Sequence, residues 1–538
     1  MAYPVYLTIG NIPKEIRRKP SRCAQILVGY IPITKFKGIP TKAARRRAQA
    51  NLFHTCMRQL LAPINSVGET GIEMMSGDGI WRRCHPIFAV FIGDYPEQTL
   101  VTCTYNGRCP KCCVPCDRLG EYNRFSPRNF HEAIDIYNMA DGDGRVFHAT
   151  CHNAGLKPVY HPFWESLPLA DIYLSITPDI LHQMLQGVMK HLIAWLTDRA
   201  TFGREQVNAR CKTLPPNHHI TLFPEGITSL SRVSGAEHKN ICRILIGLVI
   251  GLPLPTGQGS SRVIKAVRAL LDFLYLAQFP SHTSETLQRL DNSLALFHQN
   301  KSVFVDFGVR RHFNFPKLHS LIHYLSSITL FGTTDNYNTE QSERLHIDFA
   351  KNAYRATNRK DEYPQMTTWL ERHEKMERRA IAIGGQQHGL HHHDSSREHA
   401  IKLIGPPYMA TRNVKMAKKP NIRSVGFADI VKEYGAEEIL DTLADFIARV
   451  KYPTASATRL PARSRNILIL FSSVHVFHKI KFTCSESGDI VDTIHARAEK
   501  RDSNGRTIPS RFDTVLVRGR DSNSIHGANG ECYSSPID

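Results

Sequence analysis

The chain opens on two short runs dominated by apolar side chains, Val5–Ile9 and Gln25–Ile33, joined by the basic, turn-forming segment Asn11–Pro20. Runs of this length bounded by turn residues predict strands, and the short connection predicts an antiparallel pair. Lys42–Ile64 then repeats apolar residues at helical spacing (Leu52, Phe53, Cys56, Met57, Leu60, Leu61), with Arg45, Arg46 and Arg47 near its start. That is the pattern of an amphipathic helix. Pro86–Gly93 is a continuous apolar run closed by Pro and Gly, which predicts a strand buried on both faces. It ends at Asp94, and the carboxyl end of such a strand is where open α/β sheets carry chemistry.

From residue 103 to 330 the period is mostly helical, clearest over Ile180–Leu196 and Arg262–Ala277, and the segment reads as a large, mostly α insertion after an N-terminal α/β part. A further helix is predicted from Asn338 to Arg355. Its sequence places Arg344, Asp348, Lys351 and Arg355 on one face and Leu345, Phe349 and Ala353 in an apolar stripe. Glu340 and Glu343 share that helix. A carboxylate on a packed helix beside cations suits metal-assisted chemistry on a phosphate backbone, whereas a solvated helix laced with ion pairs would look similar. A second charged helix is expected near Trp369–Ala382, and Gly384–Ser424, rich in Gly, His, Pro and Lys, reads as a linker. Phe427–Tyr434 and Glu437–Val450 read as a helix pair. The alternation over Val474–Phe482 and the β-prone Thr514–Val517 complete a small α+β module, and 519–538 reads as a disordered tail.

Composition adds a partner class. The 538 residues carry 68 Lys and Arg against 49 Asp and Glu, a formal charge of +19, which favours a polyanion, with nucleic acid the commonest. No apolar run reaches 18 residues, and the first residues lack the layout of a signal peptide. Phosphate-binding glycine loops, Gly-x-Ser-x-Gly elbows and kinase motifs are missing from the sequence, which argues against those enzyme classes.

Five of the 13 cysteines fall between Cys103 and Cys116. Cys109-Pro-Lys-Cys112 has the spacing by which two thiolates grip one zinc ion. Cys103 and Cys116 are the first candidates to complete the site, with Cys151, His148 and His152 also available. His319 and His323 stand four apart, a metal-binding spacing, but read more simply as core or groove histidines, since no His-Glu-x-x-His pattern accompanies them. Asp179-Ile-Leu-His182 puts an acid and an imidazole on one helical face, and Asp179 after Pro178 also suits a helix-start carboxylate. His388 and His391–His393 before Asp394 form a His-rich loop.

Taken in order, several segments resemble the Plavaka-type transposases, a branch of the CACTA-like group of cut-and-paste DNA transposases. They include Pro4–Arg18, Gly93–Gln98, Cys109–Cys112, Pro162–Trp164, Thr177–Gln183, Gly332–Glu340 and Glu343–Asp348. The resemblance spans roughly residues 3 to 518. It implies a ribonuclease-H-like catalytic core over 1–102 and 331–383, interrupted by the insertion at 103–330. A linker at 384–425 and the small module at 426–518 would follow. It also implies an Asp-Asp-Glu set holding divalent ions, usually Mg²⁺ or Mn²⁺, for hydrolysis and strand transfer at phosphodiesters.

On that pattern Asp94 matches the second acid and Glu343 the last, with Glu340 as the fallback. Asp179 and His182 match the family's Asp-x-x-His signature, and Cys109 and Cys112 its Cys-x-x-Cys. Arg344, Lys351, Arg355 and Arg45–Arg47 become candidate DNA contacts. The family's first acid lies on a strand upstream of Tyr3, so the expectation is a core without its first strand, truncated at both ends and impaired in catalysis; Asp78 has nothing to place it in the vacant position. Further implications are the terminal inverted repeats of a parent element as DNA partner, a nuclear location and a homo-oligomer. The alternatives are a domesticated, non-enzymatic DNA- or protein-binding module and a zinc-stabilised structural protein.

Overall fold

Residues 2–387, apart from 20, 21, 77, 216–219, 256 and 258, and a set of shorter segments between 414 and 533 are described by the computed structural model. The predicted strand pair forms: β1 (Ala2–Thr8) runs antiparallel to β2 (Gln25–Pro32), with a register shift at Val5/Tyr6. The basic connection between them is tethered rather than solvated. Lys14 Nζ donates to Pro280 O and Thr333 Oγ1 at 2.6 and 2.8 Å and ion-pairs with Asp335, and Arg17 donates to Asn336 at 2.6 Å. The helix starting at Lys42 runs to Thr70, beyond its predicted end, because Pro63 is tolerated inside it. A second hairpin, β3 (Ile72–Met75) with β4 (Trp81–Cys84), follows and is exposed throughout.

Pro86–Gly93 departs from expectation. It forms no strand buried on both faces: one parallel bridge joins Phe91 to Ile176, Phe91 N–H donates to Ser175 O at 3.0 Å, and Ile87 is exposed. The cause is one-sided partnering. Phe88 and Phe91 pack inward, and the other side chains meet no second strand among the described residues. The sheets that do form are small and antiparallel, and helices dominate.

Two large hydrophobic cores, with a small third cluster around Cys109, Cys112, Val114 and Leu119, organise the described residues up to 380. One gathers the hairpin, the Lys42–Thr70 helix and the aromatic stretch up to Ile176; the other gathers helices from Ile180 to Ile328, among them Gly235–Val249, Ser261–Ala277 and Ser284–Asn300. The chain passes between them at Thr177-Pro178-Asp179. Met1–Leu214 and Leu222–Ala380 make one compact unit. No helix among the described residues is long and apolar enough to cross a membrane.

The second unit holds the expected helix pair, Phe427–Tyr434 and Ile439–Lys451, and short strands including Ser473–Val476, Lys479–Thr483 and Val491–Arg497. The His388–Asp394 loop and most of the linker fall outside the described residues. Within 519–538 only Ile525–His526 and Cys532–Tyr533 are described, and they form a three-stranded sheet with Val517–Arg518.

Candidate functional site

Asp94 sits where the Pro86–Gly93 segment ends and the helix Tyr95–Val101 begins. A capping box fixes it: Asp94 Oδ1 accepts from Glu97 N at 2.9 Å and Glu97 accepts from Asp94 N at 3.2 Å. This reciprocal bonding satisfies two of the helix's free N–H groups and holds Asp94 at the rim. Glu97 also accepts from the Tyr3 hydroxyl at 2.6 Å. Burial pushes the Glu97 carboxyl above the usual range, with Asp94 adding to it, against the Tyr3 bond.

Across the seam, Asp179 caps the segment Ile180–Met189, which winds as a π-helix rather than the predicted α-helix. The widened turn shows at its first carbonyl, which accepts from both Gln183 N and Met184 N at 3.3 Å. Asp179 is both the cap and the partner of the histidine, two readings its sequence left open. Its Oδ2 accepts from His182 N at 2.6 Å and meets His182 Nδ1 at 2.9 Å, and its Oδ1 accepts from Thr339 N and Thr339 Oγ1 at 3.2 and 2.8 Å. The other imidazole nitrogen, Nε2, lies 2.9 Å from Glu343. Burial disfavours the charged His182, but the Asp179 bond and charge, with Glu343 and Asp94, outweigh it and raise its pKa. Buried amides back this arrangement: Gln183 Nε2 donates to Gln98 on the Asp94 helix at 2.8 Å, and Gln98 holds Gly93 O and Thr177 O.

Glu340 and Glu343 part company in this setting. Glu340 is neutralised by the Lys239 ammonium at 2.6 Å, whereas Glu343, about half exposed, meets only the His182 ring at comparable distance among the described residues. Their helix is regular over Thr339–His346 and then π-helical over Ile347–Asn352. The apolar stripe behaves as predicted at Leu345 and Ala353, which are buried, while Phe349 packs by the Tyr6 ring and Tyr30 donates to Phe349 O. The cationic face is weaker than its sequence suggests, because Arg344 is spent on Asp348 at 2.8 Å. Lys351 and Arg355 are exposed, as are Arg46 and Arg47 at the other helix, with Arg45 half-buried.

The cysteine pair finds different partners from those expected. Cys109, Cys112, His319 and His323 offer ligand atoms that all lie within 4.8 Å of one another; Cys112 Sγ is 3.1 Å from His319 Nε2 and Cys109 Sγ is 3.2 Å from His323 Nε2. His319 is buried, as the core-histidine reading expects, and its i,i+4 spacing with His323 also turns both rings to the cysteine pair. Cys103 is excluded because it is buried in the other core, 3.4 Å from His54 Nε2. Cys116 lies outside the group, exposed and with its thiol donating to Gly107 O. Cys151, His148 and His152 lie elsewhere: Cys151 belongs to the first core, His148 faces Tyr160 and His152 faces Tyr105. Burial opposes a thiolate at Cys109, but the Cys112 thiol and the two imidazoles pull its pKa well down, and Cys112 keeps the proton of the pair.

Residues 1–196 match the family model described as Plavaka transposase. No curated protein matches the chain.

Proposed function

Proceeding from a chain whose residues 1–196 are those of a Plavaka-type transposase, we propose a DNA-binding protein built for metal-assisted phosphodiester chemistry, with Asp94 and Glu343 as its metal-facing acids. The observation that supports this reading is the Asp179–His182–Glu343 chain of contacts, which brings a carboxylate from a distant helix to the imidazole on which the Asp94 charge also acts. Both acids offer hard oxygen donors of the kind Mg²⁺ and Mn²⁺ take. A divalent ion there would supply activation of water or a 3′ hydroxyl and neutralise charge on the leaving oxygen. In the protein's own part of the work, Asp179 orients His182, His182 holds the Glu343 carboxylate, and Thr339 locks Asp179 to the start of the Glu343 helix. Glu343 is the better acid than Glu340 because no ammonium competes for it.

The same geometry supports weak rather than efficient cleavage. Glu97 is tied to Tyr3, Asp179 is filled by four bonds and Glu340 is paired with Lys239, so among the described residues no third free carboxylate joins Asp94 and Glu343. The alternative of a non-enzymatic DNA- or protein-binding module shares the charge and the fold and differs in predicting no metal-dependent cleavage. For the second metal centre, we propose structural zinc on Cys109, Cys112, His319 and His323, since two thiols and two imidazoles suit its tetrahedral preference.

A nicking assay on duplex DNA bearing the parent element's terminal repeats, with Mg²⁺ or Mn²⁺, tests the reading. Residual cleavage is expected to fall about 100-fold or more in Asp94→Asn and Glu343→Gln and little in Glu340→Gln. Cleavage by the wild type that ignores all three substitutions would sink the assignment.

A further inference from the structure

Lys317 is a half-buried ammonium that the scheme above leaves unused. Its Nζ donates to the carbonyl oxygen of His182 at 2.9 Å, and among the described residues it forms no ion pair. The neighbouring acids act on it only through space. Asp94, Asp179 and Lys190 are the charged groups in its surroundings. A cation taken out of water needs a compensating anion, and among the described residues no carboxylate oxygen lies within ion-pair distance of Lys317 Nζ.

The position of this ammonium is built. The Lys317 stem crosses the π-helix at Gly187, where a Cβ would come within 2.6 Å of Lys317 Cδ and 2.9 Å of His182 O. Only glycine leaves that passage open. At the other end, the same short turn carries His319, whose Nε2 reaches Cys112 in the Cys/His group. The backbone of Lys317 is therefore anchored, and its head is held at the His182 carbonyl, with Asp94 and Asp179 in its surroundings. An ammonium has three donors. One is spent on His182 O, and two are left for a ligand.

We propose that Lys317 is a phosphate seat, receiving a non-bridging oxygen of a nucleic-acid backbone next to Asp94. The inference deepens the phosphodiester reading and rests on it. It is tested by fluorescence anisotropy of a labelled DNA duplex across a salt series, with the full chain and folding followed by thermal melts. Lys317→Met removes the charge, Lys317→Arg keeps it, and Gly187→Ala keeps it but displaces the stem. Lys317→Met is expected to weaken binding several-fold and to lower the slope of log affinity against log salt by about 1, with Lys317→Arg close to the wild type. Gly187→Ala, where it folds, is expected to follow Lys317→Met.

Equal affinity and slope in wild type and folded Lys317→Met would overturn the phosphate seat while leaving DNA binding intact. A wild type that binds no DNA would instead bring down the functional reading. In that case the melting shift caused by inorganic phosphate decides. A shift present in the wild type and lost in Lys317→Met keeps the anion site with free phosphate as its source, and a shift equal in both, or absent from both, removes it.

Discussion

His54 is wholly buried and makes every contact a neutral imidazole can make: Nε2 donates to Leu100 O at 3.0 Å, Nδ1 accepts from Phe163 N at 3.4 Å, and the ring stacks on Phe163. Burial lowers its pKa from 6.5 to about 4. Because the folded value is depressed, the unfolded chain takes up a proton first as pH falls. Stability is full above about pH 6.5 and is lost between there and about pH 4, by roughly 3 kcal/mol at about 1.4 kcal/mol per pH unit. Thermal melts across that range are expected to show the loss, and His54→Gln to flatten it; a wild-type melting temperature constant from pH 7 to 4.5 would contradict this. The neighbouring Cys103 was a plausible zinc ligand on spacing, and its place against His54 follows from a core contact that no local pattern announces.

Among the elements, the stretch Pro316–His323 ties the most together. It carries Lys317 to the seam and His319 and His323 to the cysteine pair. Between the two cysteines, buried Lys111 donates to Leu174 O and Ile176 O, on the segment that bridges to Phe91. A metal in the Cys/His group would thus staple the helical core to the wall that carries Asp94. Removing it with a strong chelator is expected to lower the melting temperature by roughly 5 °C. Cys109→Ser should show the lowered value with no further response to chelator. Stoichiometric zinc retained by Cys109→Ser would contradict the ligand set. The helices that follow Asp179 and that carry Glu343 both include π-helical turns, at Ile180–Met189 and Ile347–Asn352. Such turns recur at functional sites, and hydrophobic periodicity alone gave no sign of them.

For the whole molecule, the +19 charge bears on association rather than on fold. Retention on DNA is expected to fall linearly in log–log form with salt, and a double charge reversal at the exposed Arg46 and Arg47 to lower that slope by about 2. Binding indifferent to salt would exclude phosphate contacts as its source. Two hydrophobic cores meeting at Thr177–Asp179 account for the placement of the candidate site. The seam is where the chain exchanges one set of packed side chains for another, and polar groups such as Gln98, Gln183 and Asp179 survive there by satisfying one another.

The local elements were legible in the order of residues. The hairpin at Ala2–Pro32, the helices from Lys42, Ser261 and Phe427, and the Thr339 helix with its buried Leu345 follow from periodicity and turn chemistry, which act over a few residues. The Cys109–Cys112 pair and the Asp179–His182 spacing were equally visible, because both are local geometries. Tertiary structure alone decided who completes them. His319 and His323 reach the cysteines across 207 and 214 residues, and Thr339 reaches Asp179 across 160. It also decided that Pro86–Gly93 stays one-sided, that Glu340 is paired and that Lys317 stands at the seam. Each of these outcomes depends on which surfaces are buried together, and a linear pattern records what a segment can bury without recording what it meets.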